Sequence, residues 1–478
     1  MVLPPPSLQK AALTLLYYGM IVTMDPSNRV FKNGAILIEG DTIKQIGQSS
    51  QLLQQYQHRK DVQLIDLKGK YIIPGLVNTH VHTSLHLERG LANDVSLLTW
   101  LNERGLPFEA NMTENDSYIS TLACGIELIR SGVTSFAEAG GQHVPGMVRA
   151  VKELGLRAVL TQSNFDAPQL FPGFIIPPSI ARTTDDIIQS QIQLYNNYNG
   201  QADGRIKIWF GIRQIVVTSP ELLIRTRDTA KQLKTGIHMQ VAEIQAENQF
   251  VVATYGVDHG TVTYLEKLKL LDRNFLAASS VWISDSEINF LAKANASITH
   301  GPSMSMYFLG FSPIKEMLAA GVNVGIGTDG PSNNRMSIID EMYVGALSYK
   351  VRSVFTTNTT DPTSIRAEAV LKMATIDGAK ALMWENEIGS LEVGKKADLV
   401  VVDPFVWTTS PVIDKIASLV YSTRTENIES VMCDGKWIMR DRKILTVNEN
   451  KVLRSAEKAS AEILNRAGLV IPQRMNFI

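Results

Sequence analysis

His80 and His82 stand two residues apart at the end of an apolar run, residues 71–79, that reads as a buried β-strand. Side chains alternate faces along a strand, so both imidazoles point the same way. Paired imidazoles on one face are the raw material of a divalent-metal site. Three more polar residues close strand-like segments further on: Glu243, His300 and Asp329. A carboxylate at a strand end can ligate a metal or take a proton from water. These residue types fit metal-assisted hydrolysis or, without a metal, acid–base chemistry.

Such residues need a scaffold that brings strand ends together. Eight strand candidates, 71–79, 133–139, 157–164, 205–213, 236–242, 275–281, 295–300 and 323–328, alternate with amphipathic stretches such as 116–130, 145–154 and 285–294. Strands each followed by a helix, mostly parallel by connection length, fit a (β/α)8 TIM barrel, an α/β fold, better than a doubly wound sheet. The chemistry-bearing residues fall at the C-terminal strand ends, where barrel enzymes build their sites. The Pro-rich apolar stretch 167–178 suits either a lid over that mouth or a plain surface loop. Short strands occupy both chain ends, at 16–24, 35–39 and 42–47 and again at 397–403, 428–433 and 436–439. Asp434 and Gly435 form a hairpin turn there. The economical reading is a small β-sandwich domain built from residues 1–68 and 381–478, the latter with a terminal helix, around a barrel of residues 69–380.

Composition narrows the function. The 478 residues are 45% hydrophobic and 19% charged, with a formal net charge of −1, which leaves no electrostatic footprint for nucleic acid or an anionic membrane. Cys124 and Cys433 are too far apart for a disulfide framework and fit a reducing, cytoplasmic compartment. The opening stretch has Lys10 before a short apolar run but no small-residue cleavage pattern, so it reads as a tail leading into a strand. No apolar stretch approaches bilayer-spanning length.

Five segments carry a specific resemblance: PGLVNTHVH at 74–82, LAASSVWIS at 276–284, GIGTDGPSNN at 325–334, MATIDGAKAL at 373–382 and IGSLEVGKKADLVVVD at 388–403. They are similar, in family order, to the amidohydrolase superfamily, and most to its triazine hydrolase and S-adenosylhomocysteine/methylthioadenosine deaminase-like branch, plant members included. The resemblance implies a metal-carrying (β/α)8 barrel beside a β-sandwich made of both termini. It implies one divalent ion, zinc or iron, held by His80, His82 and Asp329, with Glu243 shuttling a proton to a ring nitrogen. It also implies a small-molecule substrate and a homo-oligomer, a dimer by preference. Three positions depart from the family pattern. Gln240 stands where the fifth strand carries a ligand histidine, leaving only an amide oxygen as a weak ligand. Ser279 stands where the sixth strand carries a histidine that contacts water and substrate, and Gly301 follows His300 where Asn or Cys is usual.

The other histidines offer limited replacement. His238 shares a face with Gln240 but lies one strand layer deeper, roughly 6–7 Å away at about 3.3 Å per residue, and reads as a satisfied core residue. His143 lies just past the second strand and within reach of the mouth. His58, His86 and His259 read as turn, loop or helix residues. Trp100 resembles the family's pocket-wall aromatic, with helix packing the alternative. Met304, Met306, Tyr307 and Phe308 suit either a flat apolar substrate surface or a core patch. Arg213 and Gln214 end the fourth strand, facing substrate or closing a barrel salt bridge. Lys395 and Lys396 read as a solvated turn. Three functions remain open: a C–N hydrolase of deaminase type with a degenerate metal site; a metal-independent acid–base enzyme using Glu243, Asp329, His300 and the His80–His82 pair; and a small-molecule-binding pseudoenzyme.

Overall fold

The computed structural model of the chain describes residues 13–167, 170–171, 173–472 and 475. The expected N-terminal tail, 1–12, lies outside the described residues, as do positions 168, 169 and 172 of the expected lid. The chain opens with β1 (Leu13–Val22), β2 (Val30–Glu39), β3 (Thr42–Gln48), β4 (Val62–Asp66) and β5 (Tyr71–Pro74). Nine strands follow, separated by helices except between β9 and β10: β6 (Leu76–Val81), β7 (Val133–Glu138), β8 (Arg157–Leu160), β9 (Ile206–Ile208), β10 (Phe210–Gln214), β11 (Ile237–Val241), β12 (Phe275–Ser279), β13 (Ser297–His300) and β14 (Asn323–Ile326). The chain closes with β15 (Leu399–Val402), β16 (Ile428–Cys433), β17 (Lys436–Arg440), β18 (Lys443–Ile444) and the helix Glu449–Ala467.

Both chain ends contribute to one nine-stranded sheet in the order β18-β17-β16-β15-β5-β1-β2-β3, with β4 alongside β1. β5 joins the two halves, parallel to β1 and antiparallel to β15. Between β16 and β17 the expected hairpin turn is present: Asp434 and Gly435 both take positive φ, 52° and 73°. That is the requirement of a type I′ turn.

The central strands form two parallel sheets, β6-β7-β8-β9 and β10-β11-β12-β13-β14. A parallel bridge between Val81 and Asp329 links the first strand to the end of the last. Only Trp209 separates β9 from β10. Every residue of β6, β7, β11, β12 and β13 is buried. This is the two-faced burial that parallel strands covered by helices require.

The expected strand 71–79 breaks at Gly75, leaving 71–74 in the terminal sheet and 76–81 in the parallel one. A Cβ on Gly75 would fall 2.1 Å from Thr134 Oγ1. Only a residue without a side chain lets the chain change sheets there. Two of the covering helices start on capping boxes. Thr113 and Asp116 form a capping box for Glu114–Arg130, and Ser284 and Glu287 one for Asp285–Ala294.

The solvated-turn reading of Lys395 and Lys396 needs correction. Lys395 Nζ donates to the Glu385 carbonyl and to Ser390 Oγ, both at 2.6 Å, and Lys396 Nζ pairs with Asp41 at 2.5 Å. Lys396 thereby ties the N-terminal strands to the C-terminal ones, a long-range role that two adjacent lysines do not announce. Cys124 and Cys433 are both free and buried. Among the described residues no helix is long and apolar enough to cross a membrane.

A buried ion cluster fastens the parallel strands to the terminal sheet. The Arg157 guanidinium, its side chain 1% exposed, lies 3.4 Å from Asp398 and 3.2 Å from Asp434. Removing one partner of a buried ion group leaves the others unpaired, at about 3–5 kcal/mol. Arg157→Ala is therefore expected to lower the unfolding free energy by about that amount in a denaturant titration. A loss below about 1 kcal/mol, the range of surface pairs, would show that the cluster does not join the layers.

Candidate active site

The site forms where β6 meets the end of β14. The His80 carbonyl accepts hydrogen bonds from the Thr328 and Asp329 amides, at 3.1 and 2.9 Å. The chains approach so closely that a Cβ on Gly327 would stand 2.7 Å from that carbonyl. Asp329 then takes a left-handed conformation, φ 60°, uncommon for a residue with a side chain. Its Oδ1 lies 3.5 Å from His80 Nε2 and 3.4 Å from His82 Nε2. All three side chains are buried, and their ligand-type atoms lie within 4.8 Å of one another. Burial pushes the Asp329 carboxyl up, but the imidazoles of His80 and His82 and the charge of Arg213 outweigh it and hold the acid well below the usual range. Burial, with Arg213 nearby, keeps His82 neutral.

His80 is held from behind, whereas the Nδ1 of His82 is buried without a partner. His80 Nδ1 lies 2.8 Å from His238 Nε2, with the rings edge to face. When His80 Nδ1 donates in this bond, its Nε2 keeps the lone pair a metal requires. His238 is buried, as a core residue should be. Its contact with the His80 ring was not visible in its strand layer. The turn after His82 is fixed by Glu138, which accepts from the Thr83 amide at 2.8 Å, from Ser84 Oγ at 3.0 Å and from Thr83 Oγ1.

Glu243 follows Ala242, another left-handed residue at φ 51°. The turn is braced by Glu247, which accepts from the amides of Ala242 and Glu243 at 2.8 and 3.0 Å. Glu243 itself accepts from Ser279 Oγ at 3.0 Å and from Gln214 Nε2. Burial and the charge of Asp329 push its pKa up to about 7, against the lowering effect of those two hydrogen bonds. Two carboxyls of one site are thus driven apart, the usual mark of divided acid–base roles. Gln240 is buried with no hydrogen-bond partner on Oε1, and His80 Nε2 lacks one too.

The remaining expected residues are distributed unevenly. Met304 stays at the site: a Cβ on Gly330 would stand 3.8 Å from His82 and 4.0 Å from the Met304 methyl. Trp100 is buried and stacks on Phe308 at 6.1 Å. Beside Glu243 and Gln214, a small cavity is walled by Leu97, Leu101, Phe171, Phe174 and Val216. Phe171 and Phe174 come from the proline-rich stretch, whose Gly173 and Ile175 backbone groups are bonded to Asn102. Met306 and Tyr307 are largely exposed. His300 is buried beside Tyr349, its pKa pushed down to about 3 by burial, and its Nδ1 lies 3.5 Å from Ser305 Oγ. His143 bonds instead to the Met112 carbonyl at 2.8 Å. A wider groove of about 910 Å³, beside Asn248, Trp282 and Arg352, contains none of the clustered residues. Sequence reasoning passed over Glu138 and Glu247 altogether. Their signal was weak: a carboxylate near a strand end that braces a turn looks like any other acid.

The profile of the amidohydrolase family matches residues 71–438. The chain is 37% identical over 433 residues to a 5'-deoxyadenosine deaminase of Methanobrevibacter smithii, spanning 90% of this chain and 94% of that protein. It is 34% identical over 454 residues to a 5-methylthioadenosine/S-adenosylhomocysteine deaminase of Caldanaerobacter subterraneus, spanning 95% and 99%. An adenosine deaminase of Xanthomonas campestris with bound zinc superposes at TM-score 0.87 and 25% identity, covering 97% of this chain and 100% of that one. Zinc-complexed atrazine chlorohydrolase of Arthrobacter aurescens shares the fold at TM-score 0.81 and 22% identity, covering 94% and 100%.

The Glu243 pKa has a testable sign. It lies above the ordinary value of 4.5. The stability contributed by protonated Glu243 is therefore fully present below about pH 4.5 and lost as pH rises through about 7. Ser279→Ala removes a donor that favours the charged form, so it should raise the Glu243 pKa further. Titration of the labelled carboxyl carbon by NMR would read the shift, and a fall would contradict the assigned hydrogen bond.

Proposed function

The chain belongs to the amidohydrolase family, and from that premise we propose that it is an enzyme hydrolysing a C–N bond, releasing the amino group of a small nitrogen heterocycle. In this reading the two parallel sheets, joined by the Val81–Asp329 bridge and across Trp209, close as one (β/α)8 barrel. The terminal strands form its companion β-domain. The observation that carries the function is the convergence of His80, His82 and Asp329, with Glu243 poised near neutrality in the same buried site.

The residues present fit a divalent ion, zinc or iron. Two imidazoles and a carboxylate are suitable ligands, and the partnerless His80 Nε2 and Gln240 Oε1 are buried ligand atoms left over. His80, His82 and Asp329 would hold the ion, with Gln240 as a weak fourth ligand. Once bound, it would supply Lewis-acid activation of water. Glu243, with a pKa of about 7, takes a proton from water and passes it to the ring nitrogen as the oxygen adds at carbon, then carries the proton of the new hydroxyl to the amino group, whose C–N bond breaks to release ammonia and leave a carbonyl. Ser279 and Gln214 hold the carboxylate in place. Trp100, Phe308 and Met304 offer a flat apolar wall for a heterocyclic ring.

A second reading is supported by Gln240 and Ser279, an amide and a hydroxyl where the resemblance places imidazoles. In it the site works by acid–base chemistry without a metal.

Metal analysis and ammonia release decide between them. The first reading expects close to stoichiometric zinc or iron, abolished by His80→Ala, and ammonia from an aminopurine nucleoside or aminotriazine. Glu243→Gln should slow turnover by about 10²–10⁴-fold without displacing the metal. Absence of metal after loading, with no ammonia from either substrate class, would overturn it. Gln240→His combined with Ser279→His should tighten metal binding, read as slower loss of the ion to a chelator, and raise turnover with it. A folded double variant that still takes up no metal would favour the metal-free reading.

A further inference from the structure

Arg213 has no task in the chemistry above, yet its position is unusual. Its residue is 4% exposed, and Nη1 is buried without a hydrogen-bond partner. Among the described residues no carboxylate forms an ion pair with it, so the barrel salt bridge allowed by the sequence is absent. An unpaired guanidinium is costly to bury. The groups that feel its charge are His82, Glu88, Glu243 and Asp329. They belong to the ends of β6, β11 and β14 and to the turn after β6, so the guanidinium lies among the elements that frame the site.

The backbone accounts for this placement. Along β10 and β11, Ile212 faces Met239, and the next matched pair is Gln214 with Gln240. Arg213 is the extra residue of a β-bulge, rare between parallel strands and a device that re-aims a side chain beside a site. In a regular strand, residues 213 and 214 would face opposite sides. Here Gln214 reaches Glu243 while Arg213 still acts electrostatically on both Glu243 and Asp329. Of the nearby acids, Glu243 bonds to Ser279 and Gln214 and Asp329 lies against both imidazoles, while Glu88 accepts from Ser332 on Oε1 and leaves Oε2 buried without a partner, forming no ion pair with Arg213.

We propose that Arg213 is the receptor for a carboxylate carried by the substrate, on the heterocycle or on a short substituent of it. The planar fork of a guanidinium matches a carboxylate through two parallel N–H donors. One guanidinium beside three acids answers a single negative charge better than the double charge of a phosphate. The inference borrows from the proposed function only the heterocyclic ring; the carboxylate rests on Arg213 itself.

The test compares two probes on the full chain by calorimetry: 2-aminopyrimidine-5-carboxylate and the neutral 2-aminopyrimidine. The carboxylate should bind about 10- to 100-fold more tightly, the range for a charge-assisted pair. Arg213→Gln should abolish the preference, and Arg213→Lys should restore part of it. Equal binding of the two probes by the unaltered protein overturns the proposal without any variant. So does a preference that survives Arg213→Gln, or displacement of the carboxylate by equimolar inorganic phosphate. If the preference is present and depends on Arg213 while no ammonia is ever released, the receptor stands and the deaminase reading falls.

Discussion

The His80 carbonyl is shared by two amides from the far end of the parallel strands, and the rest of the site depends on that seam. It fixes β6 against the turn after β14, so His80, His82 and Asp329 are set by backbone geometry before any side chain is placed. The left-handed Asp329 and the bare Gly327 are the local conditions for it. A bulkier residue at 327 would force the strands apart, and with them the imidazoles from the carboxylate.

Around the seam, carboxylates of different duty are sorted by their surroundings. Glu138 and Glu247 accept backbone amides of turns and act as braces. Asp329 faces cationic and imidazole groups, which hold its carboxyl low, whereas burial and the charge of Asp329 push Glu243 up to about 7. The same residue type thus serves as strut, counter-charge and proton carrier, with burial and neighbours making the difference. Fold alone would not assign these roles, since one fold can host many reactions.

Much of this was legible in the sequence, for stated reasons. Period-two spacing put His80 and His82 on one side of a strand, and apolar runs marked the parallel strands. Asp434 and Gly435 announced their turn. Less legible were features set by tertiary geometry. The strand 71–79 reads as continuous because Gly75 is the sole sign of the change of sheet, and its cause, Thr134, lies on another strand. His238 reads as a deep core residue; its depth was right, but periodicity does not show which ring leans on it. Lys396 looks solvated because its partner, Asp41, is remote in the chain.

The bulge in β10 reaches beyond this one protein. Past Ile212 the strand runs one position out of step with β11. Any relative whose fourth strand is regular will be offset against it by one residue. An alignment that ignores the offset equates inward positions with outward ones, and conservation at Arg213 or Gln214 will then look noisy even where the pocket is preserved.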